Sequence, residues 1–171
     1  KPISRSFFKL WEIDKKFKLI NSKDKNIIIS NLAEGPGGFM EAILLNYPNL
    51  NKKLYGITLP PTNKYIPKWN NNLNKNSCVN ITYGNLYEID DIKMYISKFN
   101  TKKAVLVTAD GGFDYSKDFN KQEVNSYKMI FSEIVVALLI LKKGGSFVCK
   151  IFDTFTLFTL KMIFLLTLFF D

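Results

Sequence analysis

The 171-residue chain has no histidine and two cysteines, Cys78 and Cys149, which fall in stretches that read as β-strand and show no paired spacing. The first absence excludes imidazole acid/base chemistry, and the two together leave no ligand set for zinc, so no metal site is expected. No secretory signal opens the sequence, which makes an intracellular location, nucleus or cytoplasm, the expectation. A run of ~20 apolar residues is also missing. The most apolar stretch, residues 157–170, is broken by Lys161 and two threonines, and is expected to be a buried helix with no membrane partner. It ends at Asp171 with no cap and no polar tail, so a domain cut short at its C-terminal end is expected. No internal repeat appears.

A hydrophobic fraction of 47% and an aromatic fraction of 15% belong to a globular chain, and the length favours one domain over two. Formal charge is +9, from 24 Lys and Arg against 15 Asp and Glu. That excess suits either a solvated surface or a polyanionic partner such as nucleic acid, and composition does not choose between them.

The chain is organised around Glu34-Gly35-Pro36-Gly37-Gly38-Phe39, preceded by Ile27-Ile28-Ile29 and followed by a helical pattern from Met40. A β-branched run, a glycine turn and a helix start are how a parallel sheet holds a cofactor over its strand ends. The glycines would admit close backbone approach to a ligand, and Pro36 stiffens the turn. Glu34 is unwelcome beside a phosphate but suits a cationic or amine-bearing ligand, and S-adenosylmethionine carries both a sulfonium and an ammonium.

Around that turn the pattern predicts a helix within residues 1–19, with Ser4 or Ser6 as N-cap, and a polar turn at 22–26. Strands are expected at 27–32, 54–58, 79–83, 104–109 and 146–151. Helices are expected at about 40–47, 89–99 and 122–141, the last capped by Gly144-Gly145. Residues 59–77 read as a long loop of the kind that is functional or mobile. Strands alternating with helices give an α/β, Rossmann-like, mostly parallel doubly wound sheet with helices on both faces. Asn85 and Asp110 then join the glycine turn at strand C-terminal ends, where such sheets bind ligands. Lys150 lies in an otherwise apolar run, facing either a cleft or a buried partner, and Asp110 on the neighbouring strand tip is that candidate partner.

Four stretches in order, Ser4-Arg5-Ser6-Phe7-Phe8-Lys9-Leu10-Trp11-Glu12, the glycine turn, Ala109-Asp110-Gly111-Gly112-Phe113, and residues 144–156 with Lys150, resemble the FtsJ-like 2′-O-ribose methyltransferases. Within that family the turn is most similar to that of the cap-specific mRNA enzymes. The resemblance implies a single FtsJ-like methyltransferase domain over residues 1–171 that transfers a methyl group from S-adenosylmethionine to a ribose 2′-hydroxyl of capped RNA. It implies catalytic roles for Lys9, Asp110 and Lys150. The family's fourth member is a glutamate on a later strand. No glutamate follows Glu133, so the edge hairpin that would bear it is expected to be missing.

The resemblance also implies cofactor contacts from Ser4, Glu34, Gly35, Pro36, Gly37, Gly38, Phe39, Thr58, Asn85, Leu86 and Asp110, with Leu59 a neighbour. Asn85 replaces the aspartate that the family often places beside the adenine. Arg5, Tyr65 and Trp69 are candidates for RNA contact, the two aromatics through stacking; the plainer alternative, that they pack the loop onto the body, weighs more. A capping-machinery partner is a further implied partner. An ordinary lysine has a pKa near ~10.4, so a base working near neutrality needs a fall of about 3, which a neighbouring cation and desolvation favour. Two alternatives stay open: the same chemistry on rRNA or tRNA, and an inactive paralogue that binds RNA.

Overall fold

The computed structural model of the chain describes residues 1–21, 25–99, 101–112 and 119–171. Residues 22–24 of the expected polar turn, and Phe113 of the third motif, lie outside the described residues. The elements run α1 (Ser6–Phe17), β1 (Ile27–Leu32), α2 (Gly38–Asn46), β2 (Lys52–Thr58), β3 (Val79–Tyr83), α3 (Ile89–Ser97), β4 (Ala104–Ala109), α4 (Gln122–Ile140), β5 (Leu141–Cys149) and α5 (Leu157–Thr167). The strands form one sheet in the order β3-β2-β1-β4-β5, and every pairing is parallel. Strand order reverses between β1 and β4, the place where open α/β sheets leave a crevice for ligands.

Alternation along β1 divides the core. Ile27 and Ile29 pack with Phe7, Leu10, Phe39, Met40 and Ile43 of α1 and α2, while Ile28 and Leu32 pack with Tyr95 of α3 and Met129, Val136 and Ala137 of α4. Helices therefore cover both faces, as a doubly wound sheet requires when its strands are apolar on both sides. β1 and β4 are buried at every position, so they are central.

Several expectations give way. Neither Ser4 nor Ser6 caps α1: Arg5 holds the cap position with no side-chain bond, because the two serine hydroxyls bond each other. Gly144-Gly145 does not cap α4, which runs into β5 through Leu141. The glycines make a bulge inside β5 instead, with Ala104 opposite Leu141 but Leu106 opposite Ser146, and Gly144 at φ +75°. β5 consequently starts at Leu141 and stops at Cys149, leaving Lys150 just past its end. Cys78 sits in a turn before β3. Residues 59–78 contain a 3-10 turn, Asn71–Lys75.

The helix expected to be buried is α5, and most of it is exposed. Thr159 and Met162 are its buried residues, whereas Leu157, Leu160 and Phe164 stay open to solvent. The reason is topological: α5 packs on α4 at the outer side, and among the described residues no strand pairs with the far edge of β5. No helix among the described residues is long and apolar enough to cross a membrane.

Candidate active site

Three side chains from three elements meet above the tips of β4 and β5. β4 delivers Asp110 one residue past its last ladder position, and the Lys150 N–H donates to the Ala109 carbonyl at 2.9 Å, so Lys150 stands beside it. Lys9 comes from the first turns of α1, whose Phe7, Leu10 and Asp14 face the core. Asp14 fixes that helix, accepting from Tyr47 Oη, from Asn46 Nδ2 at 2.8 Å and from the Leu19 N–H at 3.2 Å. At the start of the chain the Ile3 N–H donates to Glu41 Oε2 of α2 at 2.7 Å.

The Asp110 carboxylate lies between two ammonium groups. Lys150 Nζ is 2.9 Å from Oδ1, and Lys9 Nζ is 3.2 Å from Oδ1 and 3.3 Å from Oδ2. Lys150 Nζ also donates to the Asp110 main-chain carbonyl at 3.0 Å and lies over the Phe152 ring, 4.9 Å from its centroid. Asp110 is 14% exposed, Lys150 26% and Lys9 52%, so the cluster is half-dry and reachable from one side.

Two cavities meet at this cluster, with Ala33, Gly35 and Asp110 lining both. The larger, of about 610 Å³, runs along the tips of β1 to β4 and is lined by Thr58, Leu59, Asn85, Leu86, Tyr65 and Lys150, among others. The smaller, of about 520 Å³, lies on the α1 side and is lined by Ser4, Arg5, Ser6, Lys9, Glu34, Pro36 and Phe39. Both have the size of a ligand site. The expected contacts therefore divide: Gly35, Thr58, Asn85 and Leu86 reach the large cavity, while Ser4, Glu34, Pro36 and Phe39 reach the small one.

Gly37 and Gly38 line neither, and their lack of a side chain has another cause. A Cβ on Gly37 would lie 2.3 Å from Leu73 Cδ1 and 3.0 Å from the Trp69 ring, and the residue has φ +116°. One on Gly38 would lie 2.2 Å from the hydroxyls of Ser4 and Ser6. These two glycines admit the protein's own loop and helix. Gly35 lines both cavities, and its N–H donates to Thr58 Oγ1 at 3.2 Å.

Trp69 is the other half of that packing. It is buried, its indole N–H donates to Asn74 Oδ1 at 3.0 Å, and the Asn70 N–H donates to the Pro36 carbonyl at 3.1 Å. Its indole is committed to the core, so for Trp69 the plainer alternative, packing the loop onto the body, holds and stacking on a base does not. Tyr65, 72% exposed, and Arg5 remain on the surface of the two cavities.

Glu34 is also turned inward. It is 6% exposed, and its Oε1 accepts the Met40 N–H at 2.9 Å, so it serves the start of α2. Burial pushes its pKa up to about 8 against the N–H groups of Met40 and Phe39, and the Asp110 charge adds to the rise. Asn85 is half committed, its Oδ1 accepting from Tyr87 N–H at 3.0 Å.

Sequence reasoning missed several residues. Ala33, at φ +50°, forms the floor shared by both cavities, and Met129 of α4 lines the larger. Glu133 of α4 is fully buried, accepts the Gly111 N–H at 3.0 Å, and has a pKa pushed up to about 8 by burial. An acid inside Ile130–Ile140, an otherwise apolar helix segment, was the available signal. Among the described residues no cluster of His, Cys, Asp or Glu could hold a metal.

A reversing parallel sheet, a glycine turn and a cavity of nucleoside size at the strand tips define a Rossmann-like α/β fold with ionisable groups at its ligand crevice. Comparison with known proteins agrees. The model of the FtsJ-like methyltransferase family matches residues 2–171, and the chain belongs to that family. It is 30% identical over 156 residues to a cap-specific mRNA (nucleoside-2'-O-)-methyltransferase 1A of Caenorhabditis briggsae, covering 83% of this chain and 17% of that protein. It is also 29% identical over 156 residues to an inactive cap-specific mRNA (nucleoside-2'-O-)-methyltransferase 1B of the same organism, covering 83% and 18%. The chain thus spans less than a fifth of the length of these relatives. A crystal structure described as a ribosomal RNA methyltransferase of Plasmodium falciparum shares the fold, with a TM-score of 0.70, 22% identity, and coverage of 94% of this chain and 84% of that one. Membership of the family implies use of S-adenosylmethionine.

Proposed function

We propose that this domain methylates the ribose 2′-hydroxyl of capped mRNA at its first transcribed nucleotide. The observation that carries the reading is the Asp110 carboxylate held between the Lys9 and Lys150 ammonium groups where the two cavities join. S-adenosylmethionine, when bound, supplies the electrophilic methyl group. The larger cavity fits it: Ile57, Leu59 and Leu86 offer an apolar bed for a purine, and Thr58 and Asn85 offer polar atoms beside it. Gly35 and Asp110 stand at the end nearest the small cavity, which would take the RNA under Arg5 and Lys9.

The chemistry falls to this chain's own groups. Lys150, in its unprotonated amine form, would accept the proton that the 2′-hydroxyl gives up, and Asp110 fixes where that amine points. Lys9 places a second positive charge beside the developing alkoxide. Burial raises the Glu34 and Glu133 carboxyls to a pKa of about 8, so the fold disfavours further negative charge beside the Asp110 carboxylate. Lys9 favours an oxyanion, and Arg5 on the same cavity favours the phosphates flanking it.

A short capped transcript and its uncapped counterpart, with S-adenosylmethionine and the full-length protein, test the reading. Methylation confined to the capped transcript is expected. Equal methylation of both would move the substrate to rRNA or tRNA. The inactive relative motivates a second reading, an RNA-binding domain without turnover. Calorimetry with S-adenosylmethionine separates the two, since complete absence of binding removes the enzyme reading.

A further inference from the structure

The Asp110–Gly111 peptide group is held at both ends. Its carbonyl oxygen accepts from Lys150 Nζ at 3.0 Å, and its N–H donates to Glu133 Oε1 at 3.0 Å. In a trans peptide these two groups point in opposite directions, so one carboxyl on α4 fixes the plane whose other edge holds the lysine. The contact is close-fitted: a Cβ on Gly111 would lie 2.4 Å from Glu133 Oε1 and 2.8 Å from Met129 Cγ. Glu133 Oε2 is buried and has no hydrogen-bond partner among the described residues. A carboxyl with an orphaned oxygen costs stability, and an apolar residue would pack more cheaply among Ile130, Ile134 and Ala137.

We propose that Glu133 is a positioning residue for methyl transfer, acting on Lys150 through the Asp110–Gly111 peptide. This rests on the functional reading above. Without the acceptor on α4, the strand tip is free to rotate its peptide, and Lys150 loses one of its two oxygens on Asp110. Hydrogen bonds on the two sides of one peptide also polarise each other, so the acceptor strengthens the carbonyl that holds the ammonium. The charged and titratable groups around it are Lys150 and Cys149 from β5 and its end and Asp110 from β4, with Lys9 of α1 and Glu34 from the tip of β1 lying beyond, against Asp110. Burial favours the uncharged acid at neutral pH, and a neutral acceptor therefore suffices.

The test compares Glu133→Leu and Glu133→Gln in the full-length protein. Leucine removes the acceptor and is expected to lower kcat about tenfold or more, with S-adenosylmethionine affinity within about twofold of the parent. Glutamine keeps the acceptor and is expected to restore kcat to within about threefold. Wild-type kcat in the leucine variant, an equal loss in glutamine, or a parallel loss of cofactor affinity would each overturn the proposal. If the leucine variant does not fold, selective 15N-glycine labelling of the parent decides: the Gly111 amide, a buried donor bonded to Glu133, should exchange slowly with solvent. A fast-exchanging Gly111 amide overturns the proposal. Should the parent itself transfer no methyl group to RNA, the functional reading fails, while the Gly111 amide still reports on the clamp.

Discussion

Lys150 donates to Asp110 twice, to the side-chain Oδ1 at 2.9 Å and to the main-chain oxygen at 3.0 Å. The amine is thereby fixed to a strand tip that is itself part of the sheet, while one side stays open to the cavities. Its replacement should stop chemistry without disturbing the cofactor bed. Lys150→Ala in the full-length protein is expected to abolish methyl transfer with cofactor affinity nearly unchanged, measured by tritium transfer and calorimetry. Retention of more than a few per cent of activity would remove Lys150 as the base.

Lys9 tests activity against stability. Its ion pair with Asp110 is half exposed, and exposed pairs contribute about 0–1 kcal/mol. Lys9→Ala should leave the denaturation midpoint nearly in place and lower kcat about 100-fold. A stability loss as large as that of a core truncation would show the pair to be structural.

Trp69 and Tyr65, four residues apart, are expected to behave oppositely. Trp69→Ala removes a buried ring wedged against Gly37 and should cost about 3–5 kcal/mol in chemical denaturation. Tyr65→Ala removes an exposed ring and should leave stability within about 0.5 kcal/mol while weakening ligand binding. Equal stability losses for the two would contradict the burial assigned to Trp69.

Glu34 gives a pH signature. Its folded carboxyl binds a proton more tightly than the unfolded one, with a pKa raised from the ordinary 4.5 to about 8. Stability is therefore full below about pH 4.5, falls as pH rises toward 8, and levels off above, by up to about 5 kcal/mol for this group. Glu34→Gln should flatten that decline in urea titrations between pH 5 and 8. An unchanged slope would mean that the carboxyl is ionised in the fold.

Three of the five strands were fully legible in the sequence. β1, β3 and β4 have the expected bounds, because a β-branched run between polar turns has one low-energy use in an α/β chain. Lys9, Asp110 and Lys150 were named from motif and register, and they do converge. The glycine turn was placed correctly, but the loop and helix packed against two of its glycines were not legible in it. Which atoms approach Gly37 and Gly38 depends on residues 31 to 36 positions away, and no local pattern encodes that. α5 failed for a similar reason: an apolar helix is buried only where something lies over it.

The sequence by itself determined the order and type of the elements and the parallel sheet, which follow from periodicity and turn chemistry acting over a few residues. Lys9, Asp110 and Lys150 were legible through motifs that resemble the family's. Tertiary structure alone decided that Trp69 belongs to the core, that Glu34 serves α2, and that Glu133 reaches the Asp110–Gly111 peptide from 22 positions away. Burial and hydrogen bonding between distant segments are properties of the packed chain, so they emerge only when the helices close over the sheet.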